Sequence, residues 1–147
     1  MRWTTKLLVI ASRTVDSAEL LEAIVDRAAV GPLHVTLVAP ASSGARSAGD
    51  RHAATLERLE HAKQRLAEAG VPVEGHVGDP DPMVAVQDAW DPRRFDEVFV
   101  ATLPTGLSRW LAADLPRRIE RFTGARVTHI IGAERRPRTS TPSAMLR

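Results

Sequence analysis

Apolar residues recur along the chain in short runs that alternate with longer amphipathic segments. The runs span residues 6–11, 33–39, 71–77, 96–101 and 126–131, and their length and content of β-branched residues predict strands. Between them, apolar side chains recur every three or four residues, which predicts helices. This alternation favours an α/β fold: a three-layer sandwich with a five-stranded parallel sheet and helices on both faces.

The first two helices carry recognisable start and stop signals. Asp16 and Glu19 have the spacing of a capping box, which predicts that Asp16 caps the first helix. The second helix is predicted over residues 50–69, after a surface loop at 40–49, and it ends at Gly70. Its expected apolar stripe consists of Leu56, Leu59 and Leu66, whereas its histidines, His52 and His61, are expected on the solvated side.

Prolines set the limits of the later helices. Asp81 followed by Pro82 predicts a cap and a first helical residue, for a helix that ends near residues 91–92. Pro116 disfavours helix at the preceding residue, so we predict a short helix at 106–113 and a longer one at 115–123.

Composition and charge exclude several classes of protein and of binding partner. The chain has no cysteine, which excludes disulfide scaffolds, thiolate zinc sites and cysteine nucleophiles. Its net charge is +2, but residues 133–147 carry +3, which leaves the body at −1. Nucleic acid is therefore not an expected partner of residues 1–132, predicted to be one domain, and the Arg- and Pro-rich segment 133–147 is predicted to be a disordered basic tail.

The N-terminal segment sets an expectation for localisation. After Lys6 only five apolar residues precede Ser12, too few for a signal peptide or a membrane span. The sequence therefore predicts a cytoplasmic protein without membrane contact. No metal ligand set is predicted, because the turn and cap roles of Asp79 and Asp81 explain the acidic residues near His76.

The loops that follow the strands are where a parallel sheet of this kind binds ligands. The loop after the fourth strand is the richest in binding groups, because Thr102, Thr105, Gly106, Ser108 and Arg109 bring hydroxyls, a glycine and a guanidinium close to a helix start. Such a combination can hold an anion. A turn in which Thr105 caps the following helix explains the same residues without any ligand.

The second half of the chain resembles a universal stress protein domain. The resemblance rests on Gly78-Asp79-Pro80 at a helix start, the strand Phe95–Ala101, the run Gly106-Leu107-Ser108-Arg109 and a last strand at 124–131. Element order matches over residues 5–132. The resemblance implies a sheet order of 3-2-1-4-5 and a homodimer formed through the last strand, here Val127, His129 and Ile131. Some members of that family also bind ATP.

The residues differ from the family's nucleotide motif at each expected position. The glycines and the following Ser or Thr of that motif correspond here to Val100, Leu103, Ala113 and Asp114, and the adenine-side Asp corresponds to Ser12. Val100 and Leu103 cannot readily bring the backbone close to phosphate oxygens. Asp114 precedes a helix that its carboxylate is able to cap, which would place a negative charge where phosphate would bind. No cofactor is therefore expected, and ATP is disfavoured.

Three interpretations remain open at this stage. The leading one is a dimeric regulatory or binding module that resembles universal stress proteins and has no turnover chemistry. An alternative is a nucleotide- or phosphate-ester-binding domain, with or without enzymatic activity, that uses the loop after the fourth strand. A third is an adaptor whose basic tail binds a partner. The candidate ligand-binding residues are Ser12, Arg13, Ala39, Gly78, Thr102, Thr105, Gly106, Ser108, Arg109 and Asp114.

Overall fold

The computed structural model describes residues 3–41, 47–104, 110 and 114–134. In chain order the described elements are β1 (Thr5–Ile10), α1 (Ala18–Val30), β2 (Leu33–Pro40), α2 (Ala48–Glu68), β3 (Val73–Gly78), α3 (Pro82–Ala89), β4 (Glu97–Thr102), α4 (Leu115–Thr123) and β5 (Arg126–Ile131). All strand pairs are parallel, and the sheet order is β3-β2-β1-β4-β5. The α/β prediction and the strand order are therefore confirmed.

The sheet separates two apolar cores, and β1 contributes to both. Leu7 and Val9 belong to the core shared with α1 and α2, whereas Leu8 and Ile10 belong to the core shared with α3 and α4. Successive side chains of a strand point to opposite faces, so a continuous apolar run is what a strand covered on both sides requires. This explains why β1 shows no alternation of polar and apolar residues.

The predicted cap of the first helix is wrong by one residue. Ser17, not Asp16, is the N-cap of α1, and its hydroxyl accepts a hydrogen bond from the Leu20 backbone N–H at 3.2 Å. The side chain of Asp16 is instead fully buried and faces α2. Both residues have side chains suited to capping, and tertiary packing decides between them.

The second and third helices differ from prediction in detail. α2 begins two residues earlier than expected, with Ser47 as its N-cap. Leu59 and Leu66 of the predicted apolar stripe are buried, but Leu56 is 39% exposed and Thr55 is buried in its place. α3 starts as predicted, with Asp81 accepting from the Met83 N–H at 2.9 Å, but it ends at Ala89.

The last helix matches its predicted bounds. α4 spans Leu115–Thr123, contains proline in its first turn, and ends at Gly124, whose φ of 68° is the left-handed conformation that favours glycine. Apart from Trp110, which packs against the core of α3 and α4, the predicted helix at 106–113 lies outside the described residues, as do Thr105, Gly106, Ser108 and Arg109.

Candidate functional site

The carboxyl ends of the strands lie along one edge of the sheet, and several predicted site residues share a row there. In the strand register, Pro40 pairs with Gly78, and Thr102 pairs with Ile131. Ile10 pairs with both Val38 and Val100. Ser12, two residues further along the chain, is therefore level with Pro40 and Thr102. An open parallel sheet binds ligands at this edge.

Two hydroxyls fix the loop between β1 and α1 to its neighbours. The Ser12 hydroxyl donates to the Pro40 carbonyl at 2.8 Å, and the Thr14 hydroxyl donates to the Ala101 carbonyl at 3.0 Å. These bonds connect the loop to β2 on one side and to β4 on the other. The loop is therefore held in place by its own hydroxyls, and the Ser12 hydroxyl proton is already used.

Thr102 is the centre of a second group of contacts at the same edge. Its side chain is buried, and its Oγ1 lies 2.7 Å from His129 Nε2 on β5. The Thr102 carbonyl accepts the Gly132 N–H at 2.9 Å. Desolvation by burial lowers the pKa of His129 below its ordinary value, which favours the neutral ring near pH 7. His129 is thus a hydrogen-bonded sheet histidine.

Gly78 has a packing role at the end of β3. A Cβ at this position would lie 3.0 Å from Val38 Cγ1 and 3.1 Å from Ala85 Cβ. The absent side chain therefore lets α3 approach the sheet closely. Two other candidate residues differ in exposure. Ala39, which pairs with Val77 on β3, is fully buried. Arg13, in the loop after β1, is exposed.

A buried carboxylate and a histidine form a pair that sequence reasoning missed. His61 Nδ1 lies 3.2 Å from Asp16 Oδ2, and the Asp16 side chain has no exposed surface. Because a carboxylate accepts, Nδ1 carries the hydrogen in this contact. The pair connects the β1–α1 loop to the middle of α2. His61 is therefore a paired residue and not a purely solvated one.

Asp114 lies immediately before α4 but does not cap it. Its backbone is left-handed, with φ 55° and ψ 44°, and its side chain makes no capping hydrogen bond. Asp tolerates this conformation better than most residues with a side chain. The predicted carboxylate cap is therefore wrong, although the exposed Asp114 still brings a negative charge to the start of the helix.

The described residues provide no evidence for a metal centre or a membrane span. Among them, no group of three or more His, Asp or Glu residues is arranged to hold a metal ion. Within the same ranges, no helix combines the length and apolar character needed to cross a bilayer.

The structural comparisons place this fold among universal stress proteins. One similar structure is a universal stress protein in complex with cAMP, with a TM-score of 0.55 and 19% identity, covering 87% of this chain and 98% of the other. Another is a universal stress protein family protein from Arabidopsis thaliana with AMP bound, with a TM-score of 0.60 and 19% identity, covering 95% and 96%. No protein-family model and no curated protein sequence matches. The chain has the universal stress protein fold.

Proposed function

We propose that this chain is a regulatory binding module of the universal stress protein type, dimeric and without turnover chemistry. The observation that carries this proposal is the similarity of fold over almost the whole chain to two structures that hold adenine nucleotides. The ligand would bind at the carboxyl edge of the sheet, near Ser12, Thr102 and Asp114. This is where an open parallel sheet offers loop backbone and hydroxyls to a small molecule.

We further propose that this edge does not hold a triphosphate in the manner of the ATP-binding family members. Val100, where the motif has glycine, is fully buried in the core of α3 and α4. Ser12, where the family has its adenine-side Asp, donates its hydroxyl proton to Pro40. Asp114 adds an exposed negative charge at the start of α4, where phosphate would otherwise be favoured by the helix dipole.

Calorimetric titration of the full chain with ATP, ADP, AMP and cAMP, with and without magnesium, tests the ligand class. We expect ATP to bind weakly, and we expect Asp114→Ser to tighten ATP binding roughly tenfold, because a unit charge near the phosphates is removed. Asp88→Ser, an equal change at an exposed position of α3, serves as the control and should have no effect. Tight magnesium-dependent binding of ATP to the unaltered chain would contradict the proposal.

The proposed dimer uses β5, which is an edge strand paired on one side with β4. Ile131 is 49% exposed, and Val127 and Ile130 are only partly buried. An exposed apolar edge strand favours pairing with another strand. A second copy of β5 would supply that pairing and cover the exposed apolar surface.

Light scattering coupled to size exclusion, at micromolar concentration, tests the dimer. We expect twice the monomer mass for the unaltered chain and a monomer for Ile131→Lys, because a buried unpaired charge is costly at such an interface. Val30→Lys, at a position on α1 that is 79% exposed, is the matched control and should stay dimeric. A monomeric unaltered chain would disprove this part of the proposal.

A further inference from the structure

A groove between α1 and α2 lies on the face of the sheet away from α3 and α4. It has a volume of about 550 Å³, and its apolar lining includes Leu21, Leu66 and Ala69. Glu22 and Asp26 line it from α1 and are both exposed. Within the described ranges, no ion pair joins either carboxylate to another side chain. The lining also includes Arg65, which pairs with Glu68 at 4.0 Å, but its carboxylates outnumber this arginine. The groove therefore combines an apolar lining with an excess of negative charge.

The chain that leaves β5 is fixed at one end of this groove. After the Gly132 N–H bonds to Thr102, the Ala133 N–H donates to Glu19 Oε1 at 3.2 Å. Glu134 Oε2 then accepts from an Arg58 guanidinium N–H at 2.9 Å. These contacts bring the chain across the start of α1 to α2, and both Ala133 and Glu134 line the groove.

We propose that this groove binds the chain's own arginine-rich segment, residues 135–147. The segment follows directly from Glu134 and carries Arg135, Arg136 and Arg138, together with apolar residues at 144–146. Its positive charge and its apolar residues complement the carboxylates and the apolar lining of the groove. Oppositely charged surfaces of this kind select and orient a binding segment.

The distances along the chain agree with this occupant. Glu22 and Asp26 are four residues apart on α1, which places their Cβ atoms about 6 Å apart on one face. Arg136 and Arg138 are separated by about 6.6 Å in an extended chain, and Pro137 favours an extended conformation at the residue before it. Asp26 lies about 10 Å along α1 from Glu19, and the thirteen residues from Arg135 to Arg147 are more than enough to cover this distance from Glu134. Arginines of the segment can therefore reach the two carboxylates.

A spin label on the tail tests the proposal in the full chain. Because the chain has no cysteine, Ser143→Cys creates one labelling site. We expect the label to broaden the amide signals of Val25 and Asp26 on α1 but not that of Phe122, which lies on α4 across the sheet. High salt should remove the broadening, because exposed ion pairs are screened.

Charge reversal separates specific docking from nonspecific contact. Glu22→Lys with Asp26→Lys should lower the docked population about tenfold, and adding Arg136→Glu with Arg138→Glu to the same chain should restore it. Asp88→Lys with Glu120→Lys makes an equal change of charge on the α3–α4 face and should leave docking unchanged. Broadening that is unaffected by the Glu22 and Asp26 substitutions would overturn the proposal.

A mixing experiment distinguishes the chain's own tail from that of a second copy. Isotope-labelled chains without the spin label are mixed with unlabelled chains that carry it. Broadening of Val25 and Asp26 in this mixture would show that another copy fills the groove and would overturn the assignment to the same chain. The same mixture made from Ile131→Lys chains, which are expected to be monomeric, removes any broadening that β5 pairing alone would cause, so this proposal and the proposed function can fail separately.

Discussion

Gly132 is the position where a single methyl group should reveal how the end of β5 is held against α1. A Cβ at Gly132 would lie 2.6 Å from the Ser17 Oγ and 3.0 Å from the Ser17 Cβ. The first distance is about 0.8 Å shorter than an ordinary van der Waals contact. In the Gly132→Ala variant, either the Ser17 hydroxyl or the chain at 132–134 must therefore move.

Both adjustments have a similar cost. If the Ser17 hydroxyl moves, α1 loses the cap bond to the Leu20 N–H, which costs about 1 kcal/mol. If the chain moves, the bond from the Gly132 N–H to the Thr102 carbonyl is weakened, which costs about 0.5–1.5 kcal/mol. We therefore expect Gly132→Ala to lower the free energy of unfolding by about 1 kcal/mol, a decrease in Tm of roughly 2–4 °C.

Urea unfolding followed by tryptophan fluorescence measures this loss, and a double-mutant cycle assigns it to the contact. In a Ser17→Gly background the clashing atoms are gone, and glycine at an N-cap costs only a few tenths of a kcal/mol, so Gly132→Ala should be almost neutral there. Gly31→Ala is the control, because a Cβ at Gly31 meets nothing within 4 Å. An equal loss in both backgrounds, or no loss in either, would refute the reasoning.

Four further substitutions test the fold and its pH dependence. Burial lowers the pKa of His129 in the folded protein. Its contribution to the free energy of unfolding is therefore complete above about pH 6.5 and is lost as the pH falls through the pKa of the folded state. In urea titrations from pH 8 to 5, the free energy of unfolding should decrease less for His129→Gln than for the unaltered chain, and equal decreases would contradict this. Gly75→Ala should lower the free energy of unfolding by about 1–3 kcal/mol, because the new Cβ would lie 2.8 Å from the Leu37 carbonyl oxygen. An unchanged urea midpoint would show that β3 moves to accommodate the methyl group without cost. Ile119→Ala should lower the free energy of unfolding by about 2–5 kcal/mol, since Ile119 is fully buried in α4. Phe122→Ala, at a position that is 45% exposed, should lower it by only about 1 kcal/mol, and equal losses for the two would mean that α4 is packed differently.

The alternation of strands and helices could be predicted from the sequence because its causes are local. The apolar run at residues 6–11 is continuous because β1 is covered on both faces, and the cap at Asp81 with Pro82 fixes the start of α3 within a few residues of sequence. Such signals require no knowledge of which elements meet. The strand order, by contrast, came from the resemblance to universal stress proteins and not from the pattern itself.

The pairings between distant segments were decided by the tertiary structure alone. Asp16 and Ser17 were equally suited to cap α1, and only the packing of α2 against the β1–α1 loop makes His61 the partner of Asp16. Asp114 fits a capping pattern, yet its left-handed backbone prevents the cap. A sequence pattern records what a side chain can do with its near neighbours, whereas burial and the approach of remote residues determine which of those interactions forms.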